Sequence, residues 1–94
     1  MFYTYIIQSE TSGIIYIGQT NNLADRIYRH NHNRNKYTKN KGPWKLIYFR
    51  EFNSRKDAVA LEGKLKQFKN KKFLLEWIAK HAELEHPDFQ SGGS

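Results

Sequence analysis

Cysteine is absent from the sequence, so neither a disulfide framework nor a zinc–thiolate site can hold the fold together. No apolar run approaches the roughly 20 residues that a membrane-spanning helix needs, and no charged segment precedes an apolar core of the secretory kind. We therefore expect a soluble, cytoplasmic protein with no membrane partner. The 94 residues leave room for one domain with a modest core, which argues against an elaborate multi-site enzyme.

Acidic side chains are scarce in the middle of the chain. Between Arg26 and Lys72 lie 15 of the 16 Lys and Arg residues and only three acids, whereas the flanking segments hold one Lys and six acids. The middle segment thus has a formal charge of +12, and the flanks together have −5. Positive charge concentrated in this way is typical of a protein that binds a polyanion, most commonly nucleic acid, although a basic surface that only serves solubility has the same pattern.

Hydrophobic periodicity predicts three strands and three helices. Aromatic and β-branched residues around a turn-like segment indicate a β-hairpin at the start of the chain, and helical spacing after Asn and Ser capping residues indicates helices. We expect strands over residues 2–8, 14–18 and 45–52. The first helix should be capped by Asn21 or Asn22 and run to about residue 31 or 32, the second should begin at Ser54 and include Phe68, and the third should span residues 71–82. The order ββαβαα is typical of a small α+β domain with a three-stranded antiparallel sheet flanked by helices. This domain should span residues 1–82, and the remainder, 83–94, is expected to be a flexible tail.

Side-chain spacing indicates which residues face the core. On the first helix Leu23 and Ile27 form an apolar stripe, and Arg26 and His30 lie together at its border, so both side chains should point beside the core. Glu62 falls at the edge of the stripe on the second helix. The buried stripes of the second and third helices are expected to contain Ala58, Leu61, Leu65 and Phe68, and Phe73, Leu74, Trp77 and Ile78.

Most familiar catalytic patterns are missing. The sequence has no cysteine nucleophile, no glycine-rich phosphate loop and no His-x-x-x-His or Cys-x-x-Cys metal motif. His30 and His32 are two residues apart, so on a helix they point in different directions, which argues against a histidine-rich metal site. The residues that remain for chemistry are scattered along the chain, namely Tyr3, Tyr5, Tyr16, Arg26, His30, Tyr37 and Glu62.

The order of these residues resembles a known family. The second strand carries Tyr-Ile-Gly at residues 16–18, and the first carries Tyr-Thr-Tyr at residues 3–5, which keeps the final tyrosine of a Gly-Ile-Tyr motif. A helix with an arginine and a histidine follows, and a later helix carries a glutamate. Over residues 2–78 this set resembles the GIY-YIG nuclease domain, in particular its small stand-alone bacterial members.

The resemblance implies a site that hydrolyses phosphodiester bonds. Glu62 would hold one divalent cation, Mg²⁺ or Mn²⁺, and Arg26 would stabilise the charge that grows on the scissile phosphate. Tyr5 or Tyr16 would bind the attacking water and help to deprotonate it. A phenol has an ordinary pKa of about 10 and an imidazole of about 6.5, so His30 is the easier base on pKa alone, and the base stays open between Tyr5 and His30.

Further residues are expected to contact the substrate. The segment 32–43 is polar and basic and ends in Gly-Pro, so it should form a surface loop, with Trp44 anchoring it to the core. Closure of this loop would bring Tyr37 into the site. Gly18 should let the chain turn out of the second strand and leave room for backbone approach. The predicted substrate-binding residues are Gly18, Arg29, Arg34, Lys36, Tyr37 and Lys39, of which the basic ones would bind phosphates without reading sequence.

Each of these residues also has a simpler explanation. The tyrosines could be ordinary strand aromatics, Arg26 part of a solvated basic face and His30 a hydrogen-bonded histidine at the core edge. Glu62 has Lys66 four residues later, which is the favoured spacing for an exposed helix ion pair. Two functions are therefore possible on the sequence. The first is a metal-dependent DNA endonuclease. The second is a nucleic-acid-binding module with little or no catalysis that acts in DNA repair or recombination, with a partner protein for targeting. A basic protein that docks on an acidic partner is a third alternative.

Overall fold

The computed structural model describes residues 1–85, and its elements follow the predicted order ββαβαα. The strands are β1 (Phe2–Ser9), β2 (Ile15–Thr20) and β3 (Trp44–Phe52), and the helices are α1 (Leu23–Asn31), α2 (Arg55–Lys66) and α3 (Lys71–Glu85). All three strands pair antiparallel in the spatial order β2-β1-β3, so the first strand is central. The predicted α+β fold class is confirmed. Within the described residues, no helix has the length and apolar character needed to span a membrane.

The central strand β1 is covered on both sides, because its successive side chains alternate between two apolar faces. On one face Ile6 packs against a cluster from β3, α2 and α3 that comprises Tyr48, Leu65, Leu74 and Ile78. On the other face Tyr5 and Ile7 pack with Trp44, and Leu23 and Ile27 of α1 cover them. The candidate site lies on this second face, since Tyr5 belongs to it.

Polar side chains cap the first two helices, as predicted. At the start of α1 the side chain of Asn22 accepts a hydrogen bond from the backbone N–H of Asp25 at 3.1 Å. At the start of α2 the hydroxyl of Ser54 accepts one from the N–H of Asp57 at 3.2 Å. Each cap satisfies a donor of the first helical turn, which fixes where the helix begins.

The helix ends differ from the prediction. The second helix stops at Lys66, so Phe68 lies beyond it, although Phe68 still packs against the core. The third helix continues to Glu85, three residues past the predicted end at 82. The rest of the predicted tail lies outside the described residues.

The expectation that Phe73 is buried is wrong. Phe73 is 57% exposed, whereas Leu75 packs against the core. The reason is the phase of α3: its buried stripe is centred on Leu74 and Ile78 and extends toward Leu75 rather than toward Phe73.

The turn expected at Gly18 is also wrong. Strand β2 continues to Thr20, and Gly18 is buried inside it, directly opposite Tyr5 in the pairing with β1. The chain leaves the sheet after Thr20, whose hydroxyl oxygen accepts a hydrogen bond from the N–H of Asn22 at 3.1 Å. Gly18 therefore needs an explanation other than a turn.

The basic loop between α1 and β3 is tied to the core, as expected for Trp44. The side chain of Asn31 accepts from the Trp44 N–H at 2.6 Å and donates to the Trp44 carbonyl at 3.2 Å. The buried Trp44 indole donates to the carbonyl of Thr38 at 3.3 Å. Within the loop Asn33 and Asn40 have φ angles of 59° and 63°, a left-handed conformation that asparagine tolerates. These contacts hold the middle of the loop against α1.

Candidate active site

His30 lies at the centre of the candidate site and is completely buried on the inner side of α1. Its Nε2 atom is 2.8 Å from the hydroxyl oxygen of Tyr5, and its Nδ1 atom is 2.7 Å from the hydroxyl oxygen of Thr38. Burial, and then the positive charge of Arg26, lower the pKa of His30 to about 4. The imidazole is therefore neutral near pH 7, with a proton on only one of its two nitrogens.

The Tyr5 hydroxyl decides which nitrogen of His30 carries that proton. Burial, above all, raises the pKa of this hydroxyl, and the neighbouring Tyr16 and Glu62 raise it further, so it stays protonated. The positive charge of Arg26 opposes the rise without reversing it. A nearby cation favours the orientation in which the Tyr5 oxygen faces Arg26 and the hydroxyl proton points to Nε2. His30 is therefore protonated on Nδ1 and ready to accept a second proton at Nε2.

Three aromatic rings surround His30. The ring centroids of Tyr16, Tyr5 and Trp44 lie 5.0, 5.8 and 6.5 Å from that of the imidazole, all in tilted arrangements. Tyr5 is only 1% exposed, whereas Tyr16 is half-buried. Tyr16 is therefore the tyrosine of the pair that solvent reaches.

Arg26 supplies the positive charge next to the Tyr5–His30 pair. It is half-buried, and its Nε atom is buried without a hydrogen-bond partner among the residues that the structure describes. A buried donor in this state is unfavourable by about 1–3 kcal/mol, so a shift of the side chain that brings this N–H to an oxygen of a bound ligand would be favoured. The planar donor fork of arginine matches the geometry of phosphate oxygens.

Glu62 reaches the same site from α2. Its carboxylate oxygen lies 2.8 Å from the ammonium nitrogen of Lys66, which confirms the ion pair that their spacing suggested. The Glu62 side chain is only 19% exposed, and its charge acts on the Tyr5 hydroxyl. The carboxylate thus borders the site and belongs to a helix pair at the same time.

The carboxylate at the site suits a metal ion that needs few protein ligands. Within residues 1–81, whose side chains are described, no group of three or more His, Asp or Glu residues comes together. Zinc takes three or four protein ligands, whereas magnesium keeps several waters and is commonly held by one or two carboxylates together with substrate phosphates. Glu62 with a bound phosphate is therefore a donor set that fits Mg²⁺ or Mn²⁺.

Gly18 makes room for Tyr5. A Cβ atom at this position would lie 2.6 Å from the Tyr5 hydroxyl oxygen, 2.8 Å from Cζ and 3.0 Å from Cε1. Any side chain here would therefore push the phenol ring away from His30. Gly18 is buried, and its lack of a side chain leaves room for Tyr5, while its role in binding substrate stays a prediction.

The structure brings some predicted site residues together and leaves others on the surface. The clustered residues are Tyr5, Tyr16, Arg26, His30 and Glu62. Arg29 is exposed and pairs with Asp25 at 3.0 Å. The remaining predicted substrate-binding side chains, Arg34, Lys36, Tyr37 and Lys39, are exposed on the basic loop, with Tyr37 66% exposed.

Sequence reasoning missed Thr38. This residue is 1% exposed although it lies in a loop of lysines and asparagines, and its hydroxyl holds Nδ1 of His30. The only local signal is a small β-branched side chain among long polar ones. Its role depends on Trp44 and His30 meeting the loop, which spacing along the chain does not reveal.

Comparison with known proteins finds a matching family and several relatives. The family model described as GIY-YIG catalytic domain matches residues 1–75. The chain is 39% identical over 77 residues to a UPF0213 protein of Clostridium perfringens, covering 80% of this chain and 82% of that protein. It is 40% identical over 67 residues to one of Pediococcus pentosaceus, covering 70% of each. The solution NMR structure of a UPF0213 protein from Bacillus halodurans matches with a TM-score of 0.53 and 28% identity, over 93% of this chain and 94% of that one.

The match extends from β1 into α3, so it includes every element that contributes a side chain to the candidate active site. The relatives are small bacterial proteins of similar length, most of which the chain covers. This chain belongs to the GIY-YIG catalytic domain family.

Proposed function

We propose that the protein is a metal-dependent endonuclease that hydrolyses phosphodiester bonds in DNA. The observation that carries this proposal is the 2.8 Å contact between the Tyr5 hydroxyl and Nε2 of a neutral His30, with an unpartnered Arg26 N–H beside it. A proton acceptor next to an unpaired donor for an anion suits the attack of water on a phosphate.

The tyrosine and the histidine act as one base. A water beside Tyr16 gives a proton to the Tyr5 oxygen while the Tyr5 hydroxyl proton passes to Nε2 of His30. The hydroxide equivalent attacks phosphorus, the bond to the leaving oxygen breaks with its electron pair, and the alkoxide so formed takes a proton from solvent water. Tyr5 ends the step neutral, and the imidazole ends it protonated on both nitrogens. This relay combines the two candidates for the base, because Nε2 of the buried His30 contacts the Tyr5 hydroxyl.

A bound phosphate favours this proton transfer. The positive charge of Arg26 contributes to the low pKa of His30, and an anion that contacts Arg26 offsets that charge. The pKa of His30 then rises toward its ordinary value, which makes Nε2 a better proton acceptor when substrate is present. Thr38 keeps the imidazole in the orientation and tautomer that the transfer needs.

Glu62 is the residue that would hold Mg²⁺ or Mn²⁺, after exchanging its contact with Lys66 for the cation. The metal, when bound, supplies Lewis-acid stabilisation of the phosphate charge. Arg26 contributes its planar donors to the same phosphate. The basic loop and Arg29 bind flanking phosphates, so affinity for DNA falls as salt concentration rises.

A cleavage assay tests this proposal. Wild-type protein is incubated with branched, nicked, single-stranded and double-stranded DNA in Mg²⁺ or Mn²⁺, next to Glu62→Gln. Glu76→Gln is the matched control, because Glu76 is an exposed glutamate on α3. We expect cleavage that requires metal, disappears in Glu62→Gln and persists in Glu76→Gln. Failure of the wild type to cut any substrate would contradict the proposal.

The second candidate is a nucleic-acid-binding module with little catalysis, acting in repair or recombination with a partner protein that targets it. The observation that favours it is the Glu62–Lys66 ion pair, which occupies the one carboxylate suited to the metal. Binding of DNA without cleavage, equal in wild type and Glu62→Gln, would support this alternative.

A further inference from the structure

A second group of rings lies on the outer side of α1. Tyr28 is two residues from both Arg26 and His30, so its side chain points about 200° away from theirs around the helix. It is 50% exposed and stacks on the exposed His32, with ring centroids 3.8 Å apart and planes 17° apart. His32 Nδ1–H donates to the Tyr28 carbonyl at 2.8 Å, which holds the two rings in register.

The guanidinium of Arg34 lies next to this pair of rings. The guanidinium carbon of Arg34 lies 6.0 Å from the centroid of the Tyr28 ring, and the backbone N–H of Arg34 donates to the carbonyl of Arg29 at 2.9 Å. That hydrogen bond fixes the turn that carries Arg34 back beside the rings. An ordered, exposed aromatic pair and a guanidinium are thus presented together to solvent.

We propose that the Tyr28–His32 pair is a stacking surface for an unpaired nucleobase, with Arg34 beside it to contact the adjoining phosphate. Aromatic rings beside basic side chains are the elements with which proteins bind single-stranded nucleic acid. Each ring uses one face in the stack, and Tyr28 is 50% exposed. The Arg34 guanidinium lies over the Tyr28 ring at 6.0 Å, so this side chain would move outward to admit a base. The rings are already held in place, so little order is lost when a base binds.

This surface selects for single strands. Bases inside a duplex are stacked on one another and cannot offer a face to a protein ring, whereas bases in single-stranded segments and ends can. The inference rests on the proposed nuclease function only where it concerns the substrate that is cleaved, which would contain an unpaired segment. Binding itself requires neither metal nor cleavage. The competing explanation is an ordinary helix-end pair of side chains that only stabilises α1.

A binding experiment separates these explanations. Fluorescence anisotropy is measured in EDTA at low salt with two labelled strands of equal length, an oligothymidylate and an abasic strand with the same phosphates. We expect wild type to bind the oligothymidylate roughly 5- to 100-fold more tightly than the abasic strand, which is the range that base–aromatic stacking supplies. This preference should vanish in Tyr28→Leu, which keeps apolar volume but has no aromatic face, and persist in Tyr28→Phe. Phe73→Leu, which removes an exposed ring on α3, is the control and should keep the preference.

The outcomes distinguish this inference from the proposed function. Equal affinity of wild type for both strands, or a preference that survives in Tyr28→Leu, overturns the stacking surface and leaves DNA binding and cleavage intact. No binding to either strand or to duplex DNA overturns both proposals. A base preference in a protein that cuts no DNA supports the stacking surface and counts only against catalysis.

Discussion

Replacing Gly18 with alanine tests the packing that holds the Tyr5 hydroxyl against His30. The added Cβ atom would lie 2.6 Å from the hydroxyl oxygen and 2.8 Å from Cζ of Tyr5, whereas comfortable non-bonded contacts are about 3.5–4.0 Å. The end of the ring must therefore move by roughly 1 Å. Tyr5 is 1% exposed and packed on all sides, so such a movement strains its neighbours.

The structure sets the size of the effect. Overpacking a filled core is unfavourable by about 1–3 kcal/mol. Stretching the 2.8 Å hydrogen bond to His30 loses about 1 kcal/mol more. Gly18→Ala should therefore lower the free energy of unfolding by about 2–4 kcal/mol, and in a domain of this size each kcal/mol lowers the melting temperature by about 4–8 °C.

Urea denaturation and thermal melting of matched variants provide the measurement. Gly63→Ala is the control, because Gly63 lies exposed on α2 with nothing within 4 Å of an added Cβ, and this change should stabilise the helix by about 0.5–1 kcal/mol. Gly18→Ala should also be much less harmful in a Tyr5→Leu background, which lacks the end of the ring. A Gly18→Ala protein as stable as wild type would refute the packing argument, and an unchanged effect in the Tyr5→Leu background would show that the strain lies elsewhere.

Three further predictions follow from the contacts of the site. Lys66→Ala should release Glu62 and so lower the magnesium concentration for half-maximal cleavage, while the free energy of unfolding changes by less than about 0.5 kcal/mol. A metal titration that shows the same magnesium requirement as wild type would count against Glu62 as the ligand. Thr38→Val should leave Nδ1 of His30 without its partner, which lowers the free energy of unfolding by about 1–3 kcal/mol and slows cleavage, whereas Thr38→Ser should retain both stability and rate. Equal stability of the two variants in urea would contradict the role of this hydrogen bond. Unfolded His30 takes up a proton below about pH 6.5 while the folded site keeps it neutral until about pH 4, so stability is complete above the first value and lost as pH falls toward the second. This loss is about 1–3 kcal/mol, and it should disappear from denaturation curves of His30→Gln while it persists in His32→Gln.

Local patterns predicted the fold well because local interactions decide where its elements begin. The caps at Asn22 and Ser54 depend on side chains three residues from the groups they satisfy. Ser54 was predicted, and Asn22 is one of the two residues predicted for the first helix. Errors arose where long-range contacts decide. Pairing with β1 carries β2 beyond Gly18, and packing on the sheet sets the phase of α3 that leaves Phe73 exposed.

The candidate site divides in the same way. The motif order and the spacing of Arg26 and His30 predict that these side chains point toward the tyrosines, and the structure places them there. Thr38 could not be found, because its role requires the loop to fold back across α1. The Glu62–Lys66 pair follows from spacing alone, whereas the action of Glu62 on Tyr5 depends on how α2 lies against the sheet.

The sequence by itself determined the elements, their order, the concentration of positive charge and the set of residues available for chemistry, because these depend on composition and on neighbours along the chain. Only the tertiary structure decided the state of those residues. Burial lowers the pKa of His30 and raises that of Tyr5, Gly18 leaves room for the phenol ring, and Thr38 contacts Nδ1 of the imidazole. The desolvation of a group and the distance between side chains remote in sequence exist only once the chain has folded.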